Sequence, residues 1–331
     1  MTAHDGEPSE RDAFEHDAFE HDAFEHDPVM VREIVDALAP SPAGVVVDAT
    51  LGAGGHSAAL LDARDDLTVL GLDRDPDALA AAAQRLERFG SRVMTHRCRF
   101  DDLPEAMAAH AVEGLSGALF DLGVSSPQLD RPERGFSYRH EGPLDMRMDP
   151  DAPWSADDVV NGYAEAELAA LIRRDGDERF AARIAAAIVG ARPIESTTRL
   201  AEVVTSAIPA PARRTGGHPA KRTFQAIRIA VNGELDALPV AIDRAIDALV
   251  PGGRLAVLAY HSGEDRIVKE RIRFAETGGC ECPPELPCVC GAVQTVRIVR
   301  GVPKRPSRAE QERNPRAASA RLRVAEKLGG G

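Results

Sequence analysis

The sequence predicts an α/β fold, in which a nucleotide-binding domain with parallel strands is interrupted by a helical insertion. Residues 45–73 read in order as strand, glycine-rich turn, helix, strand and acid, which is the order of a nucleotide-binding βαβ unit. Strand and helix patterns alternate before residue 124 and resume after residue 217, whereas residues 124–217 contain helical patterns and no convincing strand. Because ligands bind at the carboxyl ends of such strands, the insertion should cover the site.

The glycine-rich turn is the centre of this prediction. It contains Gly52, Gly54 and Gly55, and His56 then opens a helix. Glycine lets the backbone turn tightly and approach a ligand, and the free N–H groups of a helix start favour an electron-rich group. Asp73 ends the second strand, where its carboxylate can accept both hydroxyls of a ribose. The pattern suits NAD, FAD or S-adenosyl-L-methionine (SAM), with an ordinary βα turn as the alternative; G-x-G-G in place of G-x-G-x-x-G disfavours NAD.

Each remaining element has its own signal. Apolar residues at helical spacing predict a lead-in helix over 30–38, and an apolar stripe near 224–249 predicts a helix with Gly233 and Pro239 as candidate breaks. The turn at 260–265 should face the same edge of the sheet as the glycine-rich turn. The predicted strands are 45–47, 69–72, 92–96, 117–121, 254–260, 293–299 and 321–324; the other predicted helices are 77–88, 156–160, 165–173, 178–189, 198–208 and 265–275.

The chain divides into an acidic tail (1–27), a discontinuous nucleotide-binding domain (28–123 and 218–331) and the helical insertion (124–217). The tail repeats DAFEH three times and carries −9 of the net charge of −13, so we expect it to be disordered. No uncharged run approaches the length of a membrane span, and no signal peptide is visible. These features predict a cytoplasmic protein without membrane contact.

Positive charge is concentrated in two places. Residues 297–327 contain ten Lys or Arg against three Glu, on an otherwise nearly neutral body. Lys221, Arg222 and Arg228 surround Phe224, a combination that suits phosphate contact with base stacking. Both stretches are compatible with RNA binding. A solvated helix face explains the first equally well, and a buried helical stripe is the favoured explanation of Phe224.

The strongest chemical signal follows the fourth strand, where Asp121 leads into Leu-Gly-Val-Ser125-Ser126-Pro127-Gln128. The exocyclic amine of a base is a poor nucleophile, so its methylation needs an acceptor that holds an N–H while the nitrogen pyramidalises. A polar residue before proline at this position is typical of enzymes that methylate amino groups. Methylation of carbon-5 would need a cysteine nucleophile, and none occurs here. A plain turn with capping hydroxyls is the alternative for Ser125 and Ser126.

Four of the five cysteines cluster as C-x-C, five residues, C-x-C, at Cys280, Cys282, Cys288 and Cys290. Four thiolates can hold a structural zinc ion tetrahedrally. The spacing is tighter than the common C-x₂-C pairs, so reduced thiols in a loop are the alternative. Cys98 stands apart and is typical of a small core residue.

Nearly the whole chain, residues 26 to 328, resembles the MraW/RsmH family of bacterial small-subunit ribosomal RNA (cytosine-N4)-methyltransferases. FDLGVSSPQLD (120–130) and GPLDMRMD (142–149) are the most specific matching segments. Other matching segments are DATLGAGGHS (48–57), GLDRDPDAL (71–79), HPAKRTFQAIRIAVNGEL (218–235), PGGRLAVLAYHSGEDRIVK (251–269) and NPRAASARLRVAE (314–326).

The resemblance implies a Rossmann-like class I SAM-dependent methyltransferase fold. The residues it assigns to SAM are Gly54, Gly55, His56, Asp73, Phe100, Asp121 and Gln128, with Asp73 on the ribose. We assign Ser125 and Ser126 as the catalytic acceptors of the amine hydrogen, with Asp145 and Arg147 lining the acceptor site. A structural ion pair is the alternative for Asp145 and Arg147.

The activity implied is methyl transfer from SAM to the exocyclic N4 of a decoding-centre (P-site) cytidine in 16S rRNA. Because folding of the small ribosomal subunit forms the decoding centre, we expect the assembled subunit to be a better substrate than free RNA. Two alternatives stay open: an amino-methyltransferase that acts on another RNA or on DNA, and a SAM- or RNA-binding protein without turnover. The oligomeric state is undetermined, with a dimer as one option.

Overall fold

The computed structural model describes residues 28–214, 217–283 and 289–329, so the acidic tail predicted at 1–27 lies outside the described residues. Seven strands form one sheet in these ranges: β1 (Gly44–Asp48), β2 (Leu67–Asp73), β3 (Val93–Arg97), β4 (Leu115–Asp121), β5 (Leu249–Ala259), β6 (Val296–Ile298) and β7 (Arg321–Lys327). Their order is β3-β2-β1-β4-β5-β7-β6. Strands β1 to β5 are parallel, and β7 runs antiparallel to both β5 and β6. The predicted Rossmann-like α/β fold is confirmed.

Helices cover both faces of the sheet and build the insertion. They are α1 (Val31–Leu38), α2 (Gly55–Ala63), α3 (Pro76–Leu86), α4 (Leu103–Ala109), α5 (Ser126–Asp130), α6 (Glu165–Gly176), α7 (Ala181–Gly190), α8 (Thr197–Ala207), α9 (Lys221–Asn232), α10 (Glu234–Ala248), α11 (Ser262–Thr277) and α12 (Arg308–Arg313). The helix predicted at 156–160 is a single π-helical turn, Asp158–Gly162. The strand predicted at 293–299 is shorter, because only Val296–Ile298 pairs with β7.

The centre of the sheet is buried on both faces. β1 lies between β2 and β4, so that Val46 pairs with Val69 on one side and with Gly117 on the other. Val46, Val47 and Val69 have no exposed surface. Burial on both faces explains why these strands read as continuous apolar runs rather than as alternating ones.

Polar side chains collect at one edge of this sheet. Asp48 ends β1, Asp73 ends β2 and Asp121 ends β4. Because the strands are parallel, these ends lie together, and Tyr260 follows β5 at the same edge. Open α/β sheets bind their ligands at this edge.

The insertion has its own apolar core, formed mainly by α6, α7 and α8. Ile172, Ile184 and Leu200 are fully buried in it. Helix α9 adds Phe224 and Ile227 to the same core, which confirms the buried stripe favoured for Phe224. The insertion core therefore continues past residue 217. Among the described residues of the segment 124–217 no strand is present, as the sequence predicts.

The break in the long helix predicted near 224–249 lies at Gly233. Its φ of +59° is a left-handed conformation that glycine adopts without strain, and it separates α9 from α10. Pro239, the other candidate, lies inside α10. Arg228 and Glu234 form a bidentate ion pair across this corner, with Nε–Oε1 at 2.8 Å and Nη2–Oε2 at 2.9 Å. The corner connects the insertion core to a helix that packs on the sheet.

Asn232, the last residue of α9, ties this helix to the 146–148 loop of the insertion. Its Oδ1 accepts from the Met148 N–H at 2.9 Å, and its Nδ2 donates to the carbonyl oxygens of Met146 at 2.7 Å and Arg228 at 2.9 Å. We expect Asn232→Ala to lower the free energy of unfolding by about 2–4 kcal/mol, because buried backbone groups lose their partners. Urea unfolding measures the change.

Asn232→Asp is a second variant that tests the donor half of the amide alone. It keeps the oxygen that accepts from Met148 and loses both N–H donors. Its loss should be comparable to that of Asn232→Ala, because the buried carboxylate faces two carbonyl oxygens. A change below about 0.5 kcal/mol for Asn232→Ala, the range of ordinary surface substitutions, would contradict this account.

Candidate active site

A cavity of about 220 Å³ lies at the carboxyl edge of the sheet, and we call it the strand-tip cavity. The glycine loop, the ends of β2 and β4, the start of α10 and the residues after β5 form its walls. Among the residues predicted to bind SAM, six line it: Gly55, His56, Asp73, Phe100, Asp121 and Gln128. Gly54 is the N-cap of α2, next to Gly55. Ser125 also lines the cavity.

The glycine loop packs too closely for larger residues. Gly54 has a φ of +76°, which L-residues rarely adopt. A Cβ on Gly55 would lie 2.3 Å from Cγ of Pro28, so the lead-in segment before α1 presses directly on the loop. Gly55 and His56, in the first turn of α2, line the cavity. Free backbone N–H groups at a helix start favour an electron-rich group.

Asp73 links the end of β2 to the glycine loop. Its Oδ2 accepts from the Gly52 N–H at 2.9 Å, and its Oδ1 accepts from the Asp75 N–H at 2.9 Å. Burial raises the pKa of Asp73 to about 6, although the two N–H donors favour the ionised form. A carboxylate has about four acceptor positions, so two remain for hydroxyl groups of a ligand.

Asp121 belongs to a second cluster of polar side chains at the cavity, separate from that of Asp73. The Tyr260 hydroxyl donates to its Oδ1 at 2.7 Å, and Nδ1 of His56 lies 3.6 Å from its Oδ2. Burial raises the pKa of Asp121, and burial together with the adjacent Asp121 raises the pKa of Tyr260. His56 is held by its other nitrogen, since Nε2 lies 2.9 Å from the carbonyl oxygen of Val29. The Asp121 carboxylate is therefore a fixed acceptor that takes up protons more readily than an exposed one.

Gln128 and Asp75 fix the loop that carries Ser125. Oε1 of Gln128 accepts from the Ser125 N–H at 3.1 Å, and Nε2 donates to Asp75 Oδ2 at 2.8 Å. Asp75 also accepts from Nη2 of Arg134 at 2.9 Å and caps α3 through the Asp77 N–H at 3.1 Å. Both ends of the Gln128 amide are thus engaged by protein groups. The side chain of Ser126 lies outside the described residues.

Asp145 and Arg147 do not line the strand-tip cavity. The guanidinium of Arg147 donates to both carboxylate oxygens of Asp145, at 3.0 and 2.7 Å, and its Nη1 donates to the Ala152 carbonyl oxygen at 2.9 Å. The Arg147 partner holds the pKa of Asp145 below its usual value despite partial burial. These contacts agree with the alternative given for the two residues, an ion pair that fixes the 145–152 loop.

A larger space of about 1640 Å³, the interdomain cleft, lies between the insertion and the sheet domain. It adjoins the strand-tip cavity, since both are lined by Pro28, Gly55, Arg85, Asn314 and Arg316. Basic side chains from both domains line the cleft, among them Arg32, Arg139, Lys221 and Arg313. An elongated anionic ligand in the cleft can thus reach the strand tips.

The three basic residues predicted to contact RNA have different surroundings. Lys221 is exposed and lines the cleft. Arg222 is exposed and donates to the Asp177 carbonyl oxygen at 2.7 Å. Arg228 borders the cleft, but its side chain is only 13% exposed and its guanidinium is paired with Glu234. The prediction that Arg228 contacts RNA is therefore not supported, because a paired and buried guanidinium is not available to a phosphate.

Tyr138 is a cleft residue that the sequence reasoning missed. Its ring stacks on His218, with centroids 4.5 Å apart and planes 16° apart, and meets the edge of Phe224. The signal that could have found it is its place between the two most specific matching segments, 120–130 and 142–149. Of the predicted zinc ligands, Cys280, Cys282 and Cys290 lie together after α11, away from both spaces, and Cys288 lies outside the described residues.

In the ranges that the structure describes, no helix is both long and apolar enough to cross a bilayer.

The curated relatives and the family model that match this chain indicate the same family. The chain is 52% identical over 332 residues to "Ribosomal RNA small subunit methyltransferase H" of Mycobacterium sp. (strain KMS), covering 97% of this chain and 89% of the relative. The protein of the same name from Heliobacterium modesticaldum is 50% identical over 308 residues, covering 91% and 98%. A solved rRNA methylase structure from Streptococcus thermophilus is 14% identical with a TM-score of 0.39, covering 90% and 94%. The model of the MraW methylase family matches residues 23–328, and this protein therefore belongs to the MraW methylase family.

Proposed function

We propose that this protein methylates the exocyclic N4 of a decoding-centre (P-site) cytidine in 16S rRNA, within the small ribosomal subunit and in the cytoplasm. The observation that supports it best is the Asp121 carboxylate, which lies in the same cavity as the glycine loop and Asp73. The names of the relatives support small-subunit ribosomal RNA as the substrate class. The target atom is supported by the resemblance and by the absence of a cysteine between Asp121 and Gln128, which a carbon-5 methylase would need.

S-adenosyl-L-methionine is the methyl donor of this family, and it supplies an electrophilic methyl group on a sulfonium. The strand-tip cavity fits such a molecule by the chemistry of its walls. Asp73 retains two acceptor positions for the ribose hydroxyls, and the N–H groups at the start of α2 suit the carboxylate of the methionine part. Phe100 lines the cavity beside Phe120, with ring centroids 6.1 Å apart, and can flank the adenine.

Asp121 is the best-placed acceptor for the amine of the target base. Ser125, assigned this role from the sequence, also lines the cavity, but it lies in the loop between β4 and α5. Asp121 lies at the tip of β4, and the Tyr260 hydroxyl fixes its carboxylate. By accepting a hydrogen bond from N4–H, Asp121 orients the nitrogen lone pair for attack. The nitrogen must lose one proton when it gains the methyl group, and a carboxylate with a raised pKa can take that proton and pass it to water.

The interdomain cleft is the proposed path of the RNA. Lys221, Arg139 and Arg313 can contact phosphates, and Tyr138 offers an aromatic ring. Because the cleft joins the strand-tip cavity at Gly55, a nucleotide turned out of the RNA can enter beside the glycine loop. Phosphate contacts position the RNA, and the small cavity selects one base.

Nucleoside mass spectrometry of small-subunit RNA tests the proposal directly. RNA from cells with and without the gene should differ in N4-methylated cytidine at one decoding-centre position, and the slowed Asp121→Asn variant should restore much less of it than the wild type does. Unchanged N4 methylation without the gene would refute the target. Methylation that appears instead on another RNA or on DNA would favour the first alternative activity, and SAM binding without any transfer would favour the second.

Purified protein should methylate assembled small subunits faster than naked 16S rRNA. The physical reason is that subunit folding brings the decoding-centre strands together and presents phosphates in the arrangement the cleft can contact. Tritium transfer from labelled SAM to each substrate at equal concentration measures the ratio. A higher rate on protein-free RNA would contradict the expectation.

A further inference from the structure

The loop of residues 278–295 leaves the end of α11 and returns to it before β6. Gly278 and Gly279, with φ of +63° and +72°, turn the chain away from the helix. The Thr295 N–H then donates to the carbonyl oxygen of Ala275, at 3.0 Å, in the last turns of α11. Both ends of the loop are therefore held at one place on the surface, although residues 284–288 lie outside the described part of the chain.

Three cysteine thiols converge in this loop. The Sγ atoms of Cys280, Cys282 and Cys290 all lie within 4.8 Å of one another. The chain is not helical at Cys280 and Cys282, and a spacing of two residues outside a helix can place both side chains on one face. Tetrahedral zinc thiolates have Zn–S bonds of about 2.3 Å and therefore S–S distances of about 3.8 Å. Small side-chain rotations are enough to reach that geometry.

The described residues of this loop contribute little apolar burial to hold it. Val289 and Val293 are 89% and 70% exposed, so they add almost nothing to a core. Segments without a core are commonly held by disulfides or by a metal ion. Thiols stay reduced in the cytoplasm, the compartment proposed above, and this favours the metal.

We propose that Cys280, Cys282 and Cys290 bind one structural zinc ion as thiolates. Cys288 completes the second C-x-C pair in the sequence but lies outside the described residues, so the proposal rests on the three described thiols. The cluster follows the last turn of α11, whereas Glu264 in the first turn lines the strand-tip cavity. From Glu264 to the end of α11 at Thr277 the helix rises about 20 Å. The ion therefore stabilises the loop and β6 and does not contact the reacting groups.

Elemental analysis of the full-length protein, purified without a polyhistidine tag or chelator from zinc-containing medium, tests the site. We expect about one zinc per chain in the wild type. The Cys98→Ser variant should bind the same amount, because Cys98 lies outside the cluster and burial raises the pKa of its thiol to about 12. Cys282→Ser and Cys290→Ser should lose the zinc. Both should keep the affinity for SAM, measured by calorimetry, and melt several degrees lower than the wild type.

Cobalt substitution of the wild type provides a reading that does not depend on the variants. Co²⁺ in the emptied site should give the intense visible absorption and the sulfur charge-transfer band of a tetrahedral thiolate complex. Three results would each overturn the proposal: wild-type protein without zinc, zinc that persists in the Cys282→Ser/Cys290→Ser double variant, or disulfides among these cysteines in protein isolated without oxygen.

Discussion

Asp121→Asn is expected to slow methyl transfer by about 100- to 10,000-fold while the affinity for SAM changes far less. Asparagine has the same shape and keeps an oxygen that can accept from the Tyr260 hydroxyl, which donates at 2.7 Å in the wild type. It cannot, however, take a proton from the amine of the base, and its own N–H₂ group offers donors where an acceptor is needed. Single-turnover rates with saturating SAM and small subunits measure the effect on transfer.

Tyr260→Phe is the matched control for this experiment. It removes one hydrogen bond to Asp121 and leaves the carboxylate in place, so we expect roughly a tenfold loss of rate, equivalent to one hydrogen bond of about 1.4 kcal/mol. Calorimetry with SAM separates the two possible roles of Asp121. A loss of SAM affinity as large as the loss of rate would assign the carboxylate to the donor instead of the acceptor.

Asp73→Ala is expected to weaken SAM binding by at least about 100-fold, since hydrogen bonds to a charged group contribute roughly 1.5–3 kcal/mol each. The substitution removes the proposed acceptor of the ribose hydroxyls and also frees the Gly52 and Asp75 N–H groups, which lie 2.9 Å from the carboxylate. Asp65→Ala, at an exposed position before the other end of β2, is the control and should bind SAM normally. Affinity retained in Asp73→Ala would contradict the ribose assignment.

The raised pKa of Asp73 adds a pH dependence to the same contact. Burial raises that pKa to about 6, so below pH 6 the carboxyl group of the free protein is increasingly protonated. Ribose hydroxyls need the ionised form as acceptor, and binding must then displace the proton. SAM affinity should therefore fall as the pH is lowered through about 6, by up to tenfold per pH unit. The slope should be lost in Asp73→Asn and kept in Asp65→Ala.

The βαβ unit and the edge of the sheet that holds the site were predictable because each has a local signal. Apolar runs that end in an acid mark β1, β2 and β4, and the glycines between Asp48 and His56 mark the turn. The parallel arrangement then places all the strand ends at one edge. This arrangement explains how Asp73 and Phe100, which the family resemblance assigns to SAM, come to line one cavity.

Ion pairs and hydrogen bonds that join different helices and strands were not predictable in this way, because their partners carry no mutual signal in sequence. Arg228 reads as a free cation beside an aromatic residue, yet Glu234, its partner, lies beyond the helix break at Gly233. The contact of Tyr260 with Asp121 spans 139 residues. Only the order of the strands, with β4 beside β5, brings these two side chains together.

The corner at Gly233 gives the protein a way to connect its two ligands. Lys221, at the start of α9, lines the cleft, and Glu234 and Leu235, at the start of α10, line the strand-tip cavity. A tilt of α9 under bound nucleic acid would travel through the corner to the walls around the methyl donor. By thermodynamic reciprocity, any factor by which bound nucleic acid changes the affinity for the methyl donor must equal the factor by which the donor changes the affinity for nucleic acid.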